Sequence, residues 1–323
     1  MVNKRKGETK FCEAIQIPKP SLTIEDNLKQ TNAKFILFGI EESIGVFANY
    51  GKTGAEKTWT PILTTLLNTQ NNKFNHASEL MVLGSFDYQE FQNEIVTSKK
   101  TTPKHIKKAR TFVEQIDADV SFLVHQIVKA GKIPIAIGGG HNNSYGLIKG
   151  CALALNKKIN VINLDAHTDF RPEEGRHSGN GFSYAFAEGF LKRYFIFGLH
   201  ENYTSEKLLK GIQKIKNVKF NTFEDIEIRK TKRFKDELNS ALEFLSNSSY
   251  GIEIDCDAIT GVPSSAGTST GFSANKARRF LHLASLSNQV CYLHICEAII
   301  TKNDRSKTAK LISYLITDFL RNF

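Results

Sequence analysis

Three residues able to bind a metal ion occur at alternate positions in one short stretch, NLDAHTDFRP (163–172). They are Asp165, His167 and Asp169, and they directly follow an apolar run. In an extended segment, residues i and i+2 project to the same side, so Asp165 and His167 can face one site and Asp169 can curl back into it. On its own, the stretch is also compatible with a helix cap or a solvated turn.

Three further apolar runs end in residues of the same kind. His141 follows IPIAIGGG, Asp255 and Asp257 end YGIEIDCD, and Glu297 ends QVCYLHICE. In an open parallel α/β sheet, ligands bind outside the carboxyl ends of the strands. We therefore expect all these side chains to surround one site.

The candidate ligands comprise four carboxylates and two imidazoles: His141, Asp165, His167, Asp169, Asp255 and Asp257. One cation does not need four carboxylates, but two divalent cations that share bridging carboxylates would neutralise them. Oxygen-rich sites that also contain imidazole suit Mn²⁺ better than metals that prefer thiolates. Two such ions, roughly 3.5–4 Å apart, can hold a water molecule and deprotonate it near neutral pH. The pattern predicts metal-assisted hydrolysis.

The segments between these residues predict the elements that position them. Seven short apolar runs have the length of buried strands: 34–40, 79–86, 133–140, 159–165, 193–199, 250–257 and 289–297. Apolar residues at three-to-four spacing predict helices at 108–131, 273–286 and 310–323. Strands that alternate with helices predict an α/β fold with a mainly parallel sheet covered by helices on both faces.

The composition favours a soluble globular protein. Of the 323 residues, 41% are hydrophobic and 24% are charged, and no linker is evident, so we expect one domain over 1–323 with a polar N-terminal extension of about residues 1–30. No stretch approaches the roughly 18 to 20 apolar residues that cross a bilayer, and no signal peptide is evident. Five cysteines without a CxxC pair favour the reducing cytoplasm.

The net charge of +10 raises the question of nucleic-acid binding. The basic residues cluster in 98–110 and 207–236, without the interleaved aromatic residues of a single-strand binding surface. Attraction of an anionic small substrate explains the charge at least as well. We therefore expect a small-molecule substrate and no nucleic-acid or membrane partner.

Four blocks of the sequence resemble the signature blocks of the arginase-like ureohydrolases: IAIGGGHNNSYG, NLDAHTDFR, IEIDCDAI and YLHICEA. That family includes arginase, agmatinase, guanidinobutyrase and formimidoylglutamase, and the resemblance extends from about residue 34 to the C-terminus. It implies a three-layer α/β/α fold, two Mn²⁺ ions and hydrolysis of a guanidinium or amidine carbon. It also implies assembly into trimers or hexamers.

The resemblance also implies roles for individual residues. Among the six candidate ligands, His141, Asp165, Asp169 and Asp255 would bind one or both ions, and the other two would complete the set. Asp169 would also hydrogen-bond the hydroxide between the ions. Glu297 would pair with the cationic amidinium of the substrate, because a carboxylate accepts two parallel N–H bonds.

This chain departs from the family pattern beside the ligands. Gly140 and Asn142 flank His141 where the family usually has Asp-His-Ser, and Thr260-Gly261 replaces a later Asp-Pro. Glu253 stands where the family block begins with serine. All six metal positions survive, so we expect an active metal pair, with a non-catalytic metal-binding homologue as the alternative from another class.

The stretch after Asp169 bears on which amidine is the substrate. Ser178 and Asn180 keep the Ser-Gly-Asn spacing of arginases and are candidate substrate-binding residues, but the histidine that usually follows as a proton shuttle is missing. His177 is a candidate replacement, since an imidazole shuttles protons near neutrality; the alternative is a surface loop histidine. Asn49 and Tyr50, in a glycine-rich loop, are further candidate substrate contacts.

Arg171 provides the strongest indication of specificity. Its guanidinium can bind a substrate carboxylate through two hydrogen bonds; the alternative is a structural ion pair with Glu173, Glu174 or a ligand aspartate. Formimidoylglutamases resemble this DxR pattern. The leading hypothesis is therefore hydrolysis of N-formiminoglutamate to glutamate and formamide. Arginase activity is the next hypothesis, followed by agmatinase or guanidinobutyrase activity.

Overall fold

The chain folds around one large β-sheet. The computed structural model describes residues 5–96, 101–301 and 305–323, and within them lie eight strands: β1 (Phe35–Glu41), β2 (Leu80–Asp87), β3 (Ile133–Ile137), β4 (Ile159–Leu164), β5 (Leu191–Leu199), β6 (Val218–Thr222), β7 (Tyr250–Asp255) and β8 (Val290–Cys296). They lie in the order β2-β1-β3-β8-β7-β4-β5-β6. All neighbouring pairs are parallel, which confirms the predicted sheet.

Helices cover both faces of the sheet. The described ranges contain α1 (Ile24–Gln30), α2 (Ile44–Ala48), α3 (Trp59–Leu67), α4 (Gln89–Val96), α5 (Pro103–Lys129), α6 (Asn143–Ala154), α7 (Gly181–Ala187), α8 (Glu206–Gln213), α9 (Phe234–Leu245), α10 (Ala274–Ala284) and α11 (Arg305–Leu320). One hydrophobic core contains residues of α3, α9, α10 and α11. The other contains residues of α2, α5, α6, α7 and α8. The predicted three-layer α/β/α architecture is therefore confirmed.

The strands are apolar throughout because both of their faces are buried. In β1, Phe35 and Leu37 belong to one core, whereas Ile36 and Phe38 belong to the other. Alternate side chains of a strand point to opposite faces, so a strand covered on both sides carries a continuous apolar run.

The predicted elements need two corrections. Strand β6 was not predicted, because it lies at the edge of the sheet and the segment KNVKFNT is largely polar. Helix α5 begins at Pro103 rather than at 108, because the Thr102 hydroxyl caps it by accepting a hydrogen bond from the His105 N–H. In the predicted basic segment 98–110, residues 98–100 lie outside the described residues.

The described part of the predicted N-terminal extension packs against the domain. Phe11 is fully buried, and the Gln16 N–H donates to the Leu80 carbonyl. All five cysteines are free thiols. Within the described ranges, no helix combines the length and the apolar character that a membrane-spanning segment requires.

The middle of the sheet brings together strands that are far apart in sequence. Strands β3, β8, β7 and β4 are direct neighbours. Their carboxyl ends therefore lie side by side, and these are the four strands whose ends carry the candidate ligands and Glu297. Chain topology thus places residues from four separate sequence blocks at one edge.

Candidate metal centre and adjoining cavity

One imidazole nitrogen is surrounded by three carboxylates. His141 Nδ1 lies 3.3 Å from Asp165 Oδ2, 2.8 Å from Asp169 Oδ2 and 3.0 Å from Asp255 Oδ2. These four side chains come from the ends of β3, β4 and β7, and they are almost completely buried. They form one group whose ligand atoms are close enough to share a cation.

A second group lies beside the first. His167 Nδ1 is 2.9 Å from Asp257 Oδ2 and 3.6 Å from Asp165 Oδ1. The two oxygens of Asp165 therefore face different groups, as in a carboxylate that bridges two ions. The structure brings together all six residues that the sequence predicted as ligands.

Local turns at the strand ends make these side chains converge. Asp165 Oδ1 accepts a hydrogen bond from the His167 N–H (2.6 Å), and Asp255 Oδ1 accepts one from the Asp257 N–H (2.8 Å). Such aspartate turns bend the backbone as it leaves the strand. Asp169 has a φ of 43°, in the left-handed region that non-glycine residues rarely adopt. Backbone strain of this kind concentrates at functional sites.

The buried ligand carboxylates lie close enough to repel one another, and this repulsion contributes to the shifts of their pKa values. Burial and the nearby carboxylates of Asp257 and Asp165 raise the pKa of Asp255 well above its usual value. Burial raises the pKa of Asp257 to about 6, although the His167 imidazole opposes the change. For Asp165, burial opposes ionisation, but the imidazoles of His141 and His167 lower its pKa.

Divalent cations fit this arrangement. His141 Nδ1 and Asp257 Oδ1 are buried and make no hydrogen bond of normal geometry, although three carboxylates lie within 3.3 Å of Nδ1. Buried polar atoms normally have a hydrogen-bond partner, so these two atoms are available to bind a cation. The donor set of carboxylate oxygens and imidazole nitrogens matches the preference of Mn²⁺.

Glu297 closes the floor of the centre. Its Oε1 accepts a hydrogen bond from the His141 N–H (2.9 Å), and its own N–H donates to the Gly139 carbonyl (3.0 Å). Like Asp169, it has a left-handed backbone, with φ of 61°. Burial and the Asp255 carboxylate raise the pKa of Glu297 well above its usual value.

A cavity of about 220 Å³ opens above the centre. Its lining includes four of the candidate ligands, and it also includes three predicted substrate contacts, Asn49, Arg171 and Ser178. Glu297 adds a further carboxylate to the lining, and Thr168, Tyr203 and Ser265 add hydroxyl groups. The cavity is thus bordered by acidic groups at its floor and by a guanidinium on one side.

The three predicted contacts form one hydrogen-bonded row. Arg171 Nη1 donates to Asn49 Oδ1 (2.8 Å), and Asn49 Nδ2 donates to Ser178 Oγ (3.3 Å). Arg171 Nη2 also donates to Glu174 Oε1 (2.8 Å). The ion pair considered for Arg171 in the sequence analysis is therefore present, and the guanidinium also lines the cavity.

Comparison with known proteins identifies the family. Residues 34–321 match the model of the Arginase family. The chain belongs to the arginase family. Formimidoylglutamase from Streptococcus pyogenes is 26% identical over 293 residues, which cover 87% of this chain and 82% of that protein.

Solved structures share the fold of this arginase-family chain. Formiminoglutamase from Trypanosoma cruzi with Mn²⁺ has a TM-score of 0.75 and 20% identity, with 98% of each chain covered. Formimidoylglutamase from Bacillus subtilis has a TM-score of 0.78 and 18% identity, covering 99% of this chain and 93% of that one.

Two predicted site residues of the arginase-family chain lie behind the cavity wall. His177 Nδ1 accepts a hydrogen bond from the Gly179 N–H (3.1 Å), and Nε2 lies 3.2 Å from Glu174 Oε1. Burial and the Arg171 charge lower the pKa of His177 to about 4. Asn180 is fully buried and holds the same loop. Neither residue lines the cavity, which favours a loop-shaping role for His177 over proton transfer.

Tyr50 also lies apart from the cavity. Its side chain is largely exposed, and its backbone is left-handed, with φ of 62°. It is not among the residues that line the cavity, although its neighbour Asn49 is. Of the two candidate contacts in this loop, Asn49 lines the cavity and Tyr50 does not.

Arg176 is a site-supporting residue that sequence reasoning missed. Its buried guanidinium donates to Asp117 Oδ2 (2.7 Å), Asn180 Oδ1 (2.6 Å) and the Asn142 carbonyl (3.0 Å). These bonds connect the loop that contains His177 and Asn180 to α5 and to the turn that carries His141. The sequence feature that could have indicated a buried cation is Asp117. It interrupts the apolar stripe of α5, and a buried carboxylate needs a partner.

Glu42 explains how the chain accommodates Gly140. Its buried carboxylate accepts hydrogen bonds from the Gly140 N–H (2.8 Å), Asn143 Nδ2 (2.7 Å) and the Ile44 N–H (2.6 Å). A side chain at position 140 would approach Asn142 Oδ1 to 2.5 Å. A carboxylate from the end of β1 thus braces the turn that carries His141.

The Thr260-Gly261 departure lies in an open turn. Gly261 has a φ of 79°, and an added side chain there would meet no heavy atom within 4 Å. The turn leads into the loop that supplies Ser265 to the cavity wall. Tyr203 also lines the cavity, and its ring stacks on the His167 ring, with their centroids 5.2 Å apart.

Proposed function

We propose that this chain is a formimidoylglutamase that hydrolyses N-formiminoglutamate to glutamate and formamide. The observation that carries the proposal is the position of Arg171, whose guanidinium borders a cavity with an acidic, imidazole-containing floor. A cationic formimino group suits the floor, and a carboxylate suits the guanidinium. The relatives named formimidoylglutamase support the same substrate.

The centre would hold two Mn²⁺ ions. One ion would be bound by His141, Asp165, Asp169 and Asp255, and the other by Asp165, His167 and Asp257. Bound there, the ions would supply Lewis-acid activation of the attacking water and of the formimino carbon.

The protein's own groups would orient the substrate. Glu297, at the cavity floor, would accept N–H bonds from the formimino nitrogen atoms. Arg171 would bind a substrate carboxylate, and its hydrogen bond to Asn49 would keep the guanidinium oriented. The Asp169 carboxylate would accept a hydrogen bond from the attacking water and take its proton.

The reaction then breaks one C–N bond. Water oxygen adds to the formimino carbon, and the bond from that carbon to the glutamate nitrogen breaks. The glutamate nitrogen takes the proton held by Asp169 as this bond breaks. The hydroxyl of the adduct loses its proton to the same amine as its oxygen becomes the carbonyl of formamide, so glutamate leaves with a protonated amine. A partly closed cavity of about 220 Å³ would restrict the access of further water during this step.

The test is product analysis on a panel of substrates. Mn²⁺-loaded protein is given formiminoglutamate, arginine, agmatine and guanidinobutyrate in parallel, and formamide, urea and ammonia are measured. Formamide from formiminoglutamate alone is expected. Urea from arginine or from guanidinobutyrate would replace this proposal with hydrolysis of that guanidine. Urea from agmatine, which has no carboxylate, would also reject the role of Arg171. Two bound ions without any turnover would favour a non-catalytic homologue.

Assembly into trimers or hexamers and a cytoplasmic location stay predictions. Light scattering after size-exclusion chromatography measures the mass of the assembly directly. A mass equal to that of one chain would reject the predicted oligomer.

A further inference from the structure

Three ionisable side chains outside the ligand set lie directly beneath His141. Glu253 belongs to β7, and Tyr292 and His294 belong to β8. All three are fully buried. Ionisable groups are rarely buried so completely unless they are paired, so their partners show what they do.

The Glu253 carboxylate is held from two sides. Its Oε1 accepts a hydrogen bond from the Tyr292 hydroxyl (2.7 Å), and its Oε2 lies 2.6 Å from His294 Nδ1. The parallel register places Glu253 opposite His294 and Gly251 opposite Tyr292. Because Gly251 has no side chain, the Tyr292 ring can lie over it; an added Cβ would come within 2.0 Å of that ring.

The held carboxylate faces the remaining nitrogen of His141. Glu253 Oε2 lies 3.5 Å from His141 Nε2, on the side of the ring away from the ligand carboxylates. That nitrogen is buried and has no hydrogen-bond partner. If Nδ1 binds an ion, the ring proton must be on Nε2, and a buried proton of this kind needs an acceptor.

We propose that Glu253 is a positioning residue for the metal centre. Its carboxylate accepts the Nε2–H of His141 and thereby fixes the tautomer that presents Nδ1 to the ion. Tyr292 and His294 fix the carboxylate in turn. The inference rests on the metal centre of the proposed function, but not on the identity of the substrate.

Mn²⁺ binding to the metal-free protein tests the proposal without any substrate. Calorimetric titration gives the two affinities, elemental analysis gives the number of ions, and electron paramagnetic resonance distinguishes a coupled pair from a single ion. Glu253→Gln should weaken binding at the His141 site roughly 10- to 100-fold and leave the other site unchanged. Its spectrum should then be that of a single ion at low Mn²⁺ concentration.

Tyr292→Phe is the second variant, and it keeps the test informative if Glu253→Gln does not fold. It should weaken the same site by a smaller factor, because the carboxylate keeps its contact with His294. Tyr250→Phe is the matched control: Tyr250 is a buried tyrosine on β7 whose hydroxyl donates to the Ala284 carbonyl (2.7 Å). Its loss should leave both Mn²⁺ affinities unchanged.

Two outcomes would overturn the proposal. The first is unchanged Mn²⁺ affinity at both sites in folded Glu253→Gln or Tyr292→Phe. The second is a third ion in the wild type that Glu253→Gln loses, since the ligand atoms of His141, Glu253, His294 and Cys296 lie within 4.8 Å of one another. Wild-type protein with two ions and no formamide release would reject the proposed function alone.

Discussion

Replacing Arg171 with methionine isolates the contact that sets the proposed specificity. The guanidinium lies at the cavity wall, where it donates to Asn49 Oδ1 and to Glu174 Oε1, both at 2.8 Å. Methionine keeps a side chain of similar reach but removes the charge and the donors. Substrates with a carboxylate should lose a partner, and substrates without one should not.

The size of the effect follows from the exposure of Arg171. A hydrogen bond to a charged group contributes about 1.5–3 kcal/mol. The Arg171 side chain is 47% exposed, so two such bonds to a carboxylate should together contribute only about 2–3 kcal/mol. Since about 1.4 kcal/mol corresponds to a tenfold change, kcat/KM should fall roughly 30- to 150-fold. The loss should be mainly in KM, because the contact is made equally in the ground state and the transition state.

The assay compares two substrates and two variants. Formamide release is measured from formiminoglutamate and from N-propylformamidine, which has the same reacting group without carboxylates. Arg278→Met is the matched control, because it removes a guanidinium that pairs with Asp318 (2.6 Å) far from the cavity. Equal losses on both substrates in Arg171→Met would show that Arg171 only shapes the loop, and no loss on either would refute the reasoning.

Three further predictions separate the roles of other residues. Glu297→Gln should keep two Mn²⁺ ions per chain by elemental analysis but lose at least about 30-fold in kcat/KM, because a buried charge partner of the substrate is removed. Asp165→Asn should lose both ions, since its oxygens face both groups, and Mn²⁺ should no longer raise its melting temperature. The free energy of unfolding of the metal-free protein should fall as the pH drops from 6.5 to about 4, because the unfolded chain protonates His177 and the folded chain does not. Urea unfolding should show a shallower fall for His177→Asn, by up to about 3 kcal/mol at pH 4.

Each of these predictions has a contrary result. Loss of metal in Glu297→Gln would make Glu297 a ligand, and one retained ion in Asp165→Asn would exclude a shared carboxylate. Parallel pH curves for wild type and His177→Asn would show that His177 is protonated in the folded state. The charged groups around His177 are Arg171, Arg110 and Glu174, and only the carboxylate favours that protonation.

The ligand set could be predicted because its signal is local. Strands β3, β4, β7 and β8 are buried on both faces, so each is a recognisable apolar run, and the ligands follow at its end. Asp165 and His167, or Asp255 and Asp257, need only the two-residue period of an extended chain to share a side. The parallel arrangement then brings the blocks together without any knowledge of particular contacts.

The supporting residues could not be predicted because their partners are distant in sequence. Arg176 pairs with Asp117, 59 positions away, and Glu42 braces Gly140, 98 positions away. In the sequence, each is one charged residue among many. Only tertiary packing decides which charges are buried and which carboxylate meets which donor.

The side-chain orientations within the loop that contains His177 and Ser178 could not be predicted either. His177 and Ser178 are adjacent, yet Ser178 lines the cavity and His177 is buried behind it. A short 3₁₀ turn over Ser178–Asn180 sets these directions, and such turns have no hydrophobic period that a sequence reveals. The choice of His177 as a shuttle rested on chemistry alone.

The central claim is that two ions held by these six side chains drive formamide release from formiminoglutamate. The direct measurement is a titration of metal-free protein with Mn²⁺, in which bound ions per chain and the rate of formamide release are followed together. The rate should rise as the second ion binds and should reach its limit at two ions per chain. A full rate with one ion, or two bound ions with no formamide, would contradict the account.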